Sequence, residues 1–262
     1  MVPTVPRVLV TGSTAGIGRA TAEAFARDGA HVVVNGRDPD RTAAVAAEIS
    51  AACGNAQVRG VAADVATADG ARHLAEQVAE VDVLVNNAGV FEAVPFFDID
   101  DDAWRAMFET NVLSGIRLAR IYTPGMVARG WGRVIFVSSE SSVFIPTEMI
   151  HYGVSKTAQL SVARGLAQEV AGTGVTVNSV LPGPTLTEGV RTFVASRVGE
   201  DVPFEEAERR FMAEERPTSL LGRLIRPEEV AAMIRHVGSE AASATTGAAV
   251  RVDGGTAPTI VP

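Results

Sequence analysis

The chain is poor in cysteine, and Cys53 stands alone among 262 residues, so no intramolecular disulfide is open to it. A reducing, thiol-tolerant compartment, the cytoplasm, is the expected setting. Basic residues are in deficit, 23 against 31 acidic, and the net charge of -8 argues against nucleic acid or an anionic membrane as the main partner. A small molecule is the expected partner. No apolar run reaches membrane-spanning length. The opening Met1-Val-Pro-Thr-Val-Pro-Arg7 has no basic region followed by a long apolar core, so no signal peptide is expected. Repeats and low-complexity linkers are absent. The four histidines, His31, His73, His151 and His236, are scattered and distant from Cys53, so no metal-ligand spacing emerges and no metal site is expected.

What is present is an apolar content of 47% arranged in a rhythm. Short β-branched runs alternate with longer Ala-rich amphipathic stretches, the pattern of repeated βαβ units and a parallel sheet. Strands are predicted at Arg7 to Thr11, His31 to Asn35, Gln57 to Ala62, Val81 to Asn86, Arg133 to Ser138, Val175 to Leu181 and Ala248 to Val252. Helices are predicted at Gly18 to Asp28, Asp40 to Ala52, Thr67 to Ala79, Asp102 to Arg129, His151 to Ala171 and Pro227 to His236. Asp38-Pro39 places a capping acid before a first-turn proline, and Pro227-Glu228-Glu229 puts proline and two acids in another first turn. The strands are almost continuously apolar, as in Val8-Leu-Val10 and Val83-Leu-Val85, which suits a sheet covered by helices on both faces. The expectation is one α/β domain over residues 1–262 with a doubly wound sheet of seven strands. The charged stretch from Glu188 to Ser219 interrupts the rhythm; it reads either as a solvated helical hairpin or as a lid over the carboxyl edge of the sheet.

Two motifs carry chemistry. Gly12, Gly16 and Gly18 follow the first strand and open the first helix, the context of a turn that lets a pyrophosphate approach free N–H groups at a helix start. The general pattern Gly-x-Gly-x-x-Gly/Ala is not met, because Thr21 occupies the last place; the spacing is Gly-x-x-x-Gly-x-Gly. No Gly-Lys-Ser/Thr run supports a nucleotide triphosphatase. Tyr152 and Lys156, four residues apart, share one helical face, where a cation lowers the cost of ionising a phenol whose ordinary pKa is about 10.

Joined to Asn86-Asn87-Ala88-Gly89, Ser139 and Pro182-Gly183, these motifs give the chain a resemblance to the short-chain dehydrogenase/reductase family over essentially its whole length. The resemblance implies a single Rossmann-type domain, an NAD- or NADP-dependent oxidoreductase interconverting a secondary alcohol and a ketone, and a homotetramer or homodimer. It assigns Asn111, Ser139, Tyr152 and Lys156 to catalysis, with Ser139 preferred over Ser138 by its place 13 residues before Tyr152. Lys156 would also bind the nicotinamide ribose, and Asn111 would anchor a proton-relay water. Gly12, Ser13, Gly16, Ile17 and Gly18 would shape the pyrophosphate site, and Asp64 and Val65 would meet the adenine, though Asp64 is equally readable as a helix cap.

Asn87, Ala88 and Gly89 would close on the nicotinamide-side ribose, and Pro182, Gly183, Thr185 and Thr187 on the carboxamide. Gly36 stands where NAD-preferring relatives carry an acid, and Arg37 follows it, so NADP is expected over NAD; Asp38 reads as the helix cap. Ser139, Ser141 and Tyr152 would meet the substrate, within a wall that includes Phe91, Ile145, Met149 and Leu186. His151 reads as a pocket-rim residue at most. A dinucleotide-binding regulator or scaffold without turnover is the alternative, but it would have no use for four catalytic groups.

Overall fold

The computed structural model describes residues 3–260. Its strands are β1 (Arg7–Val10), β2 (His31–Gly36), β3 (Val58–Ala62), β4 (Val83–Asn86), β5 (Gly132–Val137), β6 (Val175–Pro182) and β7 (Ala249–Val252). They form one sheet of seven strands in the order β3-β2-β1-β4-β5-β6-β7, every neighbouring pair parallel. The order reverses between β1 and β4. At such a switch point the loops leaving the carboxyl ends diverge and open a crevice.

The helices are α1 (Gly16–Arg27), α2 (Pro39–Cys53), α3 (Ala68–Gln77), α4 (Asp101–Phe108), α5 (Ser114–Arg129), α6 (Ile150–Glu169), α7 (Glu188–Val198), α8 (Phe204–Glu215) and α9 (Pro227–Val237). Strand alternation divides the apolar residues between two faces. Val8, Val10, Val83, Val85, Ile135 and Val137 pack with Phe25 of α1, Ile49 of α2 and Ile234 of α9. Leu9, Leu84, Val134 and Phe136 point the other way, onto Leu74 of α3, Leu118 and Met126 of α5 and Ala163 of α6. Each fully buried Val or Leu contributes about 1.5–3 kcal/mol, which is why nearly continuous apolar strands are stable only under helices on both sides.

Capping follows the sequence. Asp38 accepts from the Arg41 amide at 2.7 Å with Pro39 in the first turn of α2, and Thr67, rather than Asp64, caps α3 by accepting from Gly70 at 2.9 Å. Glu229 accepts from the Arg226 amide at 2.8 Å to close the start of α9. The single helix expected over Asp102 to Arg129 is instead interrupted, because Glu109–Leu113 is wound as a π-helix between α4 and α5. The wider turn carries Asn111 inward, where it is fully buried. The stretch 188–219 contains α7 and α8, which pack on a small apolar cluster of their own built on Val194, Phe211 and Met212.

Candidate active site

Two cavities meet at the carboxyl end of the sheet. The larger, about 550 Å³, runs from Gly16, Ile17 and Gly18 past Asn87 and Gly89 to Lys156, Thr187 and Glu188. The smaller, about 180 Å³, is walled by Phe91, Met149, Phe193 and Phe211, with Ser139, Glu140, Ser141 and Arg216 as its polar groups. Tyr152 borders both.

The larger cleft has the form of an anion cradle. Gly12 and Gly16 adopt φ of +59° and +53°, conformations that side chains rarely take, and the start of α1 has no side-chain cap and no acid in its first turn. Its N–H groups are therefore open to a phosphate. A Cβ at Gly16 would lie 2.9 Å from Thr187 Cγ2, so turn and opposite wall nearly touch. At the end of β2, a Cβ on Gly36 would come within 2.6 Å of Thr14 Cγ2 and 2.7 Å of Thr42 Oγ1, so this packing admits no acidic side chain there. Arg37 is exposed beside it, and Arg41, unremarked in the sequence, lines the cleft itself. Residues with this cradle, an excluded acid and two nearby guanidiniums fit a dinucleotide.

Several expected contacts are spent inside the protein. Ser13 is fully buried, its hydroxyl donating to Val10 O at 2.7 Å and accepting from the Asn35 amide at 2.9 Å. Asn87 turns its amide onto Thr11 O and Gly12 O, at 2.9 and 3.0 Å, and so braces the glycine turn. Asp64 accepts from the Ala66 amide at 3.1 Å and is half-buried, next to buried Val65. Ala88 is tied by its amide to Thr11 Oγ1 at 3.0 Å. Thr185 is buried and donates to Gly183 O at 2.8 Å, while the Thr187 hydroxyl accepts from Val190 at 3.2 Å as the cap of α7. Pro182 and Gly183 line the smaller pocket.

The four catalytic candidates do gather, though in different ways. Ser138 donates to Lys156 O at 2.9 Å, whereas Ser139 bonds Glu140 and the Ser141 amide at the pocket, at 2.6 and 3.1 Å. Both serines line the smaller pocket, so the expectation from strand alternation that only one could enter it does not hold; what differs is the partner each hydroxyl takes. Lys156 donates its Nζ to Val137 O at 2.9 Å and lies 5.6 Å from the centre of the Tyr152 ring; burial pushes its pKa down to about 8. Burial, and secondarily Glu140, push the Tyr152 phenol above its ordinary value, against a hydrogen bond from Ser139. Desolvation outweighs the lowering expected from the Tyr–Lys spacing. Asn111 bonds both the amide and the carbonyl of Val90, at 2.8 and 2.9 Å, as well as Ser155 at 3.0 Å, while its own carbonyl accepts from Gln159. It fixes the loop after β4, where a Cβ at Gly89 would lie 3.4 Å from Lys156 Nζ.

Around the smaller pocket Phe91, Ser141 and Met149 stand as expected. Ile145 instead covers Gly153, and Leu186 packs into the cluster between α7 and α8. His151 is fully buried against Trp104, ring centres 5.9 Å apart, and not at the rim; burial lowers its pKa. Sequence reasoning passed over Glu140 and Arg216. The signal for Glu140 was a single acid among Ser138, Ser139, Ser141 and Ser142 at a strand end; Arg216 gave none, since it reaches the pocket only by the packing of α8.

A family model described as short chain dehydrogenase matches residues 6–197. The chain is 48% identical over 248 residues to the uncharacterized oxidoreductase YvaG of Bacillus subtilis, covering 94% of each chain. It is 35% identical to the D-beta-hydroxybutyrate dehydrogenase of Cupriavidus necator, covering 94% of this chain and 96% of the other. L-Sorbose reductase from Gluconobacter frateurii, solved with NADPH and L-sorbose, superposes with a TM-score of 0.92 at 32% identity, over 99% of both chains. A parallel sheet of seven strands in this order, a glycine turn at its switch point and these matches along the chain together place the protein in the short-chain dehydrogenase family of oxidoreductases.

Proposed function

We propose that the protein interconverts a secondary alcohol and a ketone with a nicotinamide dinucleotide, NADP in preference to NAD, and that Tyr152 is the acid and base. The observation that carries this reading is the position of Tyr152 on the border of the two cavities, with Ser139 on one side and Lys156 on the other. Gly12, Gly16, Ile17 and Gly18 would hold the pyrophosphate, with Ala88, Gly89 and Lys156 nearer the nicotinamide end. When bound, the nicotinamide supplies or accepts the hydride. Ser139 and Tyr152 hold the carbonyl oxygen, and Tyr152 Oη gives it a proton. The buried phenol is protonated at neutral pH, the form that reduction needs. Lys156 lowers the cost of the phenolate left behind.

NADP is supported by the steric exclusion of an acid at Gly36, by Arg37 and Arg41, and by the NADPH bound in the similar L-sorbose reductase. Residues 188–219 supply a lid, since Phe193, Phe211 and Arg216 wall the smaller pocket. A homodimer or homotetramer would form on α5 and α6, which flank an outer groove holding Ile116, Val127, Val162 and Leu166. One free cysteine suits a cytoplasmic setting.

The test is a panel of ketones and alcohols with NADPH and NADH, followed by nicotinamide absorbance. Tyr152→Phe should lose about 10²–10⁴-fold in turnover while still binding the dinucleotide. Undiminished turnover in that variant would reject the assignment.

A further inference from the structure

Glu140 is a buried acid that the reaction as described does not use, and it sits against the one hydroxyl the reaction needs to aim. The residue is 5% exposed, with Oε2 2.6 Å from Ser139 Oγ. A serine hydroxyl has one proton and two lone pairs. One lone pair of Ser139 already takes the Ser141 amide, at 3.1 Å. An ionised Glu140 can only accept, so it would draw the serine's only proton away from both the Tyr152 phenol, to which Ser139 otherwise donates, and the substrate. Ser139 could then offer nothing to a carbonyl oxygen, which is itself only an acceptor. A neutral Glu140 reverses the bond: its O–H donates into the second lone pair, and the serine proton is released toward the substrate.

Burial works toward the neutral form. It pushes the Glu140 carboxyl above its ordinary value, opposed by the hydrogen bond from Ser139, by the charge of Arg216 and by the backbone amides of Ser141 and Glu140. Arg216, at the end of α8, is itself shared: Nη1 donates to Glu215 O at 2.7 Å and Nη2 lies 3.5 Å from Glu148. From α6 the group facing Glu140 is the Tyr152 phenol, which its negative charge would make harder to ionise. Among the described residues Arg216 is the one charged group that acts on this carboxyl.

We propose that Glu140 is a positioning residue, carried as the neutral acid, whose proton turns the Ser139 hydroxyl toward the substrate oxygen during ketone reduction. The proposal rests on the reading of Ser139 given above. Ionisation of Glu140 removes one donor from the oxygen, a loss of about 10²–10³-fold in turnover where such donors have been removed.

Two measurements test it. Infrared difference spectra of wild type against Glu140→Gln, taken at neutral pH without substrate, should show the band of a protonated buried carboxyl in the wild type alone. An ionised carboxylate there overturns the proposal whatever the protein's activity proves to be. With a reduced ketone in hand, wild-type kcat should fall as pH rises through the Glu140 transition. Glu140→Gln, whose amide donates to Ser139 at every pH, should keep the low-pH rate within about threefold and lose that limb. In a Ser139→Ala background the substitution should change neither rate nor profile. Identical pH profiles for wild type and Glu140→Gln, or a Gln variant as slow as Ser139→Ala, would overturn the assignment of the proton.

Discussion

Substituting Gly18 by alanine probes the glycine turn without touching the chemistry. The backbone at Gly18 lies outside the left-handed region, so the substitution brings no conformational penalty, and alanine is favoured over glycine in a helix by about 1 kcal/mol. Space is the problem. The new Cβ would collide with Gly12 O, stand 2.5 Å from Asn87 Nδ2 and 2.9 Å from Ser13 Cα. Ser13 is anchored by its bonds to Val10 and Asn35, so the Asn87 amide must yield, giving up Thr11 O and Gly12 O. Overpacking costs about 1–3 kcal/mol and a stranded buried donor about 1–3 kcal/mol more. After the helix gain, a net loss of about 1–5 kcal/mol is expected, a fall in Tm of about 2–20 °C for a chain of this size. Scanning calorimetry reads the first effect, and titration with NADPH reads the loosened turn as weaker binding. Adding Asn87→Ala should cost less in Gly18→Ala than in wild type, since the clashing amide is gone. A Gly18→Ala protein with wild-type Tm and NADPH affinity would show that the turn is not packed as described.

Arg37→Ala should weaken NADPH relative to NADH by about 10–100-fold, the worth of a hydrogen bond to a charged group. An unchanged ratio of the two affinities would reject Arg37 as the 2′-phosphate partner, and Arg41→Ala, measured alongside, tests the guanidinium that lines the cleft. Hydrogen bonds from Arg223, and then from the Arg226 amide, hold the Glu229 carboxyl at about 2, against an ordinary 4.5. Its folded value lies below its unfolded one, so the stabilisation is complete above about pH 4.5 and lost as pH falls toward about 2. The Tm gap between wild type and Glu229→Gln should therefore be widest near neutrality and close in acid; a gap that does not vary with pH would refute the linkage.

The architecture was legible because the strands announce themselves. Val8-Leu-Val10 and Val83-Leu-Val85 are too apolar for any place but a doubly covered sheet, and Asp38-Pro39 can hardly be read except as a helix start. The interruption at Glu109–Leu113 was not legible, since a π turn has no composition of its own and is selected here by the bonds Asn111 makes to Val90. The order of site residues along the chain was readable, but their orientation was not. Asn87 and Thr187 sit where expected, yet hydrogen bonds to the chain's own backbone fix where their side chains point. Tertiary contacts decide such matters. The same holds for Arg216, brought to the pocket by helices whose charged sequence resembles any solvated surface.

The division of each strand between two cores has a consequence at the sheet's end. Because consecutive side chains serve opposite faces, β5 cannot slide by one residue against β4 or β6 without turning Ile135 and Phe136 each into the other's environment. Such a slip would also exchange the surroundings of Ser138, bonded to Lys156 O of α6, and Ser139, bonded to Glu140. The aim of a single hydroxyl is thus enforced from deep within the molecule, by apolar side chains packed under the helices.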